Sequence, residues 1–390
     1  MAIRRLATEL GLESDDLLAA EPAGSKPLYY FGGTPYTYAQ ATQDFAQIYN
    51  QLKSDVQASS YPTTYDSSTP RGRELDATSI ADYIDQIVPG GHDSPLGKLL
   101  DVAYNIEFGA ETWDQSALNL LYLLGYSSKQ EFQIFGESDE RFHIRGGNDQ
   151  LVSRMAATLG NRIHLNSELE SISKRSDGTY ILSIRQGGRS VTVAADHVVL
   201  ALPFSILRQS VDFSGAGFSP LKSTAIREMG MGTNSKFQMQ FRNRLWNAQG
   251  GNGDTYSDTG YQVTWEATRA QSGQSGVLVN YSGGEIGLTY DRPASQLAGR
   301  VLNQLEPVLP GISAEFNGLA LLDYWPGYRW TRGSYTYWKV GQYVGFAGVK
   351  GEREGNVHFC GEHTSIDFQG FLNGAVDSAE GVATEILHST

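Results

Sequence analysis

No part of this chain limits its fold more than residues 356–380, which read NVHFCGEHTSIDFQGFLNGAVDSAE. The stretch opens with an apolar run over 357–360, long enough for one buried strand. Gly361 ends the run, Glu362 is the first charge beyond it, and a polar turn follows. From Gly370 onward Phe371, Ala375, Ser378, Ala379 and Val382 recur at three- and four-residue spacing, which predicts a helix. Gly370, Gly374, Ala375, Ser378 and Ala379 leave one helix face almost bare, and a bare face admits close approach. A helix N-terminus adds free N–H groups and a positive partial charge, which suit an anion or an electron-rich ring. Strand, glycine turn, carboxylate and small-faced helix can cradle a cofactor. The same order can also close an ordinary α/β core, and these residues alone leave both readings open.

Composition narrows the class. A chain of 390 residues can build two interleaved domains, and 40% apolar with 19% charged residues is the balance of a soluble globular enzyme. The net charge of -13 argues against nucleic acid as a partner and mildly favours cationic ligands. Cys360 is the only cysteine, so no intramolecular disulfide and no cysteine metal cluster can form. The seven histidines show no metal-ligand spacing. No apolar run reaches membrane-spanning length, and residues 1–6 lack the apolar core of a signal peptide. A cytoplasmic location follows if this N-terminus is genuine.

Taken in order, residues 2–12 predict a helix with Ile3, Leu6 and Leu10 on one face, stopped near Gly11. A strand is expected over 27–31. Thr37 and Gln40 form a capping-box pattern that starts a helix to about residue 56. Residues 59–73, rich in Ser, Thr and Pro, read as an exposed loop. Helices are expected over 78–88, 96–108 and 116–124, the last capped by Asp114. A further helix spans 149–159. Strands over 180–184 and 191–195 flank Gly187-Gly188 as a hairpin, and 198–202 is a buried strand closed by Pro203. Lys236 begins an alternating strand in which Phe237, Met239 and Phe241 face one way. Residues 260–290 read as sheet and 294–309 as a helix. By itself Lys236 is a solvated lysine at a strand end, and the aromatic, glycine-rich segment 323–335 is a core corner.

The stretch GEHTSIDFQGFLNGAVDSAE resembles the C-terminal flavin-contact motif of the flavin-containing amine oxidases, which include monoamine, polyamine, putrescine and L-amino acid oxidases. The likeness extends over nearly the whole chain. Arg145-Gly146-Gly147 is similar to the family's Gly-Gly turn, LNSELESI to its adenine-contact strand, HVVLALP to the strand beneath the flavin, and the segment around Lys236 to its lysine strand. The resemblance implies an α/β fold of mixed α+β character: an incomplete FAD-binding domain interleaved with a helical and β-sheet substrate domain. It implies division at 1–140 (substrate), 141–212 (FAD), 213–335 (substrate) and 336–390 (FAD). Glu362 would bind the ribityl–phosphate part of FAD beside Gly361 and Gly370, Leu169 would meet the adenine through its backbone, and Trp325 would lie over the flavin. Tyr335 and Phe371 would form an aromatic cage for a neutral amine. Lys236 would hold a water against flavin N5. Ser334, where the mitochondrial monoamine oxidases carry a cysteine, implies non-covalent FAD. The expected partners are a small amine or amino acid and molecular oxygen, with hydrogen peroxide as product, and a homodimer is compatible with the likeness.

One family part is missing. Gly215-x-Gly217, Gly230-x-Gly232 and Gly251-x-Gly253 are the G-x-G pairs present, and none sits in a strand–helix turn with a third glycine. The start of the chain resembles the helix that follows that unit, so an N-terminally shortened chain is expected. A non-catalytic remnant or interaction module that retains no FAD is therefore the alternative, and a flavin desaturase of related fold is a third reading. An amino acid substrate would need an arginine, with Arg71, Arg73, Arg329 and Arg332 as candidates. A polyamine would need an acid, with Glu107 or Glu111 available.

Overall fold

The alternating segment at Lys236 lies in the largest sheet of the molecule. The computed structural model describes residues 1–389. Ser235–Phe241 is a strand whose Phe237, Met239 and Phe241 are fully buried. It belongs to a seven-stranded sheet ordered Phe316–Tyr324, Ser235–Phe241, Gly276–Ser282, Gln262–Glu266, Gly251–Ser257, Lys26–Phe31 and Thr34–Tyr36. Neighbours run antiparallel except Gly251–Ser257 and Lys26–Phe31, which are parallel.

Directly paired residues share a sheet face. Lys236 and Val263 both pair with Tyr281, so these three stand on one side. Phe237, Met239 and Leu278 stand on the other and pack against Leu297, Val301 and Leu305 of helix Ala294–Leu305. The Tyr281 face meets a helical layer made of Tyr38–Ser59, Ile80–Ile87, Pro95–Phe108 and Ala117–Leu124. Local chemistry fixes where those helices start. Thr37 and Gln40 form a complete capping box. Ser94 caps Pro95–Phe108, and Gly109 ends it in the left-handed region at φ 66°.

A second body of structure lies beside the first. Ser167–Lys174, Tyr180–Gln186 and Arg189–Ala195 form a three-stranded antiparallel sheet, with Gly187 and Gly188 in its tight turn at φ 56° and 80°. Val198–Leu200 pairs in parallel with Val357–Phe359. Leu200, Val357 and Phe359 join a core with Ile172, Tyr180, Phe204 and Trp338, while Val199 stays 45% exposed. No helix among the described residues is long and apolar enough to cross a membrane.

Several expectations need correction. The stretch 59–73 is not an exposed loop: Thr63 and Thr64 are buried, and Pro70 already begins a helix, Pro70–Asp76, capped by Thr69. Ser116, not Asp114, caps Ala117–Leu124, because its hydroxyl reaches Leu118 N. Asp114 instead accepts from Tyr337 and pairs with Lys339. The C-terminal helix is Leu372–Ser389, so Gly370 and Phe371 belong to the turn before it. Gly374 and Ser378 face protein rather than an open space, while Ala379 is exposed. A Cβ on Gly374 would lie 2.2 Å from Phe368 O, and Ser378 Oγ bridges to the backbone of Gly361.

Candidate active site

The strand Val357–Phe359 delivers the chain to Gly361, which adopts φ 132°. A Cβ there would lie 2.6 Å from His363 Cε1, so both the backbone and the crowding demand glycine. The turn places Glu362 in a dense hydrogen-bonding arrangement. One of its oxygens accepts from Gly370 N at 2.7 Å, and the other from Thr336 N at 3.2 Å. Thr336 Oγ1 lies 3.1 Å from the first oxygen. Burial raises the Glu362 carboxyl above its ordinary range, against the pull of Gly370 N–H, the Lys350 ammonium and Thr336. Lys350 is itself buried. Its Nζ lies 4.1 Å over the Trp338 ring and donates to Gln369 Oε1 at 2.5 Å. Gln369 Nε2 returns to Thr336 O at 3.2 Å. Burial lowers Lys350 to about 7, with Glu362 opposing and Lys222 reinforcing the shift.

Glu362 lines a cavity of about 190 Å³ together with Ala201, Met231, Ser334, Gly361 and His363. His363 Nε2 is buried without a hydrogen-bond partner, and burial pulls its pKa down to about 3, so the ring is neutral. Ser334 Oγ donates to Asn234 Oδ1 at 2.5 Å.

A second cavity, of about 110 Å³, lies on the other side of the Gln369–Gly370–Phe371 turn. Its walls include Tyr61, Tyr122, Trp338, Tyr343 and Phe371, with Glu107 and Asp367 as its acids. Tyr335 stands nearby: a Cβ on Gly370 would lie 3.7 Å from its ring. Its hydroxyl donates to Glu107 O at 2.6 Å and pairs with Tyr281 OH at 2.8 Å. Tyr335 and Phe371 make no direct ring contact among the described residues. Lys236, beside Tyr281 on the sheet, has its Nζ 5.5 Å from the Trp265 ring and 5.6 Å from the Tyr281 ring. Burial lowers its pKa, while Glu140 and Asp323 hold it up. Glu140 keeps an exposed surface although protein surrounds its carboxyl. That enclosure raises its carboxyl, with Lys236 opposing.

Of the expected site residues, Ser334, Gly361 and Glu362 line one cavity and Phe371 the other, Gly370 N donates to Glu362, Tyr335 stands beside Gly370, and Lys236 lies on the sheet opposite Tyr281 and lines neither cavity. Trp325 lies near by in sequence but lines neither cavity, and packs edge-on against Tyr328 at 5.9 Å. Leu169 sits apart, on the three-stranded sheet opposite Ile184. None of the four candidate arginines lines either of these two cavities. Arg71 pairs with Asp55 and Glu74, Arg73 donates to Ser68, Arg329 pairs with Glu168, and Arg332 donates to Gln209. Of the two candidate acids, Glu111 is bound to Asn105 Nδ2 and Glu285 N, whereas Glu107 lines the aromatic cavity. Sequence reasoning missed Tyr281, Glu140, Lys350, His363 and Gln369. His363 and Gln369 stood in plain view inside the C-terminal motif. Lys350 carried one signal, a lone cation in the apolar run before Gly351.

Comparison with known proteins places this architecture. Residues 2–387 match the model of the flavin containing amine oxidoreductases, and the chain belongs to that family. A flavin is that family's cofactor. A Synechocystis L-amino acid dehydrogenase is 23% identical over 86% of this chain and 69% of its own length. A flavin-containing amine oxidase of Oncorhynchus mykiss is 23% identical over 99% of this chain and 74% of its own. A Bacillus subtilis protein named as an L-amino-acid oxidase matches at 26% over 65% of this chain, and the match spans only 54% of that relative. The cyclohexylamine oxidase of Brevibacterium oxydans shares the fold at a TM-score of 0.79, with 18% identity, over 99% of this chain and 86% of that one.

Proposed function

We propose that this chain oxidises the C–N bond of an amine with non-covalently bound FAD. The imine hydrolyses to an aldehyde and ammonia, and oxygen leaves as hydrogen peroxide. The observation that carries this reading is the turn 369–371: Phe371 lines the aromatic cavity, Gly370 lies against both Glu362 and the Tyr335 ring, and Tyr335 is hydrogen-bonded to Tyr281, the sheet partner of Lys236. The residues present fit a flavin dinucleotide: an orphaned His363 nitrogen, a glycine turn closed to any Cβ, and a buried carboxylate line one cavity. Glu362, Gly361 and Ser334 would hold the cofactor's polar middle, and Leu169 its adenine end. Ser334 offers no thiol for a covalent link.

When bound, FAD supplies acceptance of two electrons from the amine carbon. The chain's own residues orient and protonate. Tyr335, locked by Tyr281 and the Glu107 carbonyl, and Phe371 would supply apolar faces to admit a neutral amine and exclude water. Lys236 makes no hydrogen bond or ion pair among the described residues. Its lowered pKa lets it hold a water, or pass a proton, while oxygen is reduced.

The visible spectrum of the purified chain, with and without added FAD, tests the proposal. Flavin bands that stay with the protein and bleach anaerobically with an amine are expected. A folded, colourless protein would favour the second reading, a fold that retains no cofactor. That reading draws on Glu362, whose oxygens are already engaged by Thr336 and Gly370.

A further inference from the structure

The cavity lined by Phe371 has no basic residue in its wall and two acidic ones, Glu107 and Asp367. From this and the aromatic lining we infer that the site selects an amine carrying a second positive charge, a diamine or polyamine, and that Glu107 receives that charge. The inference rests on the amine-oxidising reading above and names the substrate class for it.

The wall is built to present rings rather than hydroxyls. Tyr61 OH donates to Asp367 Oδ1 at 3.1 Å, Tyr122 OH pairs with Thr63 Oγ1 at 2.7 Å, and Tyr343 OH donates to Asn119 Oδ1 at 3.0 Å. With hydroxyls committed, the apolar faces remain for an alkyl chain and its cation. Trp338 already carries one cation, Lys350, on its ring. Glu107 differs from the other acids nearby. Asp367 is engaged by Tyr61, and Glu111 by Asn105 and Glu285 N, whereas the Glu107 side chain makes no hydrogen bond or ion pair among the described residues. An amino acid substrate meets the opposite: its carboxylate would face two acids and find no guanidinium.

The charged groups around Glu107 are Glu140, which repels it, Lys236 across from Glu140, Asp367 in the same wall, and Lys350 behind Trp338. Burial first, and Glu140 second, push the Glu107 carboxyl up to about 8. At neutral pH it is mostly protonated and must lose that proton to receive an ammonium. Diamine binding is therefore coupled to proton release.

Titration calorimetry on the purified, FAD-supplemented chain tests this with 1,4-diaminobutane, n-pentylamine of equal heavy-atom count, and 5-aminopentanoate. We expect the diamine to bind at least about tenfold more tightly than pentylamine, a ratio worth about 1.4 kcal/mol, with 5-aminopentanoate weakest. Glu107→Gln should bring the diamine-to-pentylamine ratio close to one, and Asp367→Asn should keep most of it. Run in two buffers of different ionisation heat at pH 7, the wild-type chain should release about one more proton with the diamine than with pentylamine, a readout that needs no variant. Equal affinities, tightest binding of 5-aminopentanoate, an unchanged ratio in the Gln variant, or no binding of any probe would each overturn the inference. Binding needs no turnover, so selective diamine uptake without flavin bleaching would keep the cation site and remove the oxidase reading.

Discussion

At the scale of single residues, burial lowers the pKa of three lysines, Lys222, Lys236 and Lys350. Lys236→Met should slow reoxidation of the reduced flavin by about two orders of magnitude. Stopped-flow mixing with oxygen would read this, and the anaerobic half-reaction should change far less; equal loss in both halves would reassign Lys236 to substrate binding. Lys222 is fully buried, with Nζ bound to the carbonyls of Lys350 and Glu352, and burial lowers it to about 7. From about pH 7 to the ordinary lysine range, the folded state holds this group neutral while the unfolded chain holds it charged. The unfolded state then binds more protons, so stability rises with pH through that window, falls as pH returns through it, and levels off below about 7 where both states are protonated. The slope is at most about 1.4 kcal/mol per pH unit for one lysine. Thermal denaturation at pH 7 and pH 9 should show this rise, and Lys222→Met should flatten it.

At the scale of elements, local rules explain much of what forms. Thr37→Ala removes the hydroxyl that accepts Gln40 N and should cost about 1 kcal/mol by denaturant unfolding. Gly361→Ala should cost more, because strain at φ 132° adds to the clash with His363. Adding His363→Ala should recover only the steric part; full recovery would show that the backbone is unstrained. Alternation in Ser235–Phe241, the Gly187-Gly188 hairpin and the Thr37 box were legible because each signal lies within a few neighbouring residues. Gly251–Ser257 was not, since its glycines and polar residues become a strand only through pairing with Lys26–Phe31 and Gln262–Glu266 on either side. Phe316–Tyr324 went unread for a related reason: it is the outer strand of its sheet, with Leu319 and Leu321 exposed. In the candidate site, motif context singled out Lys236, Glu362 and Phe371. The partners that tune them, Tyr281, Glu140 and Lys350, come from distant segments, and no local spacing announces them.

At the scale of the whole molecule, a net charge of -13 sets up a field that draws cations inward. The kcat/KM for 1,4-diaminobutane should fall several-fold between about 10 and 200 mM salt, and that for n-pentylamine should fall less. Steady-state rates at fixed pH would check this, and salt-independent values would remove the field as a contributor. The turn 369–371 links the two cavities: Gln369 and Phe371 line the aromatic one, while the Gly370 N–H between them donates to Glu362, which lines the other. Whatever settles against Glu362 therefore also sets the wall that an amine meets. Reciprocity then requires that the factor by which one ligand tightens the second equals the factor by which the second tightens the first. Affinity measured at either address becomes a reading of occupancy next door.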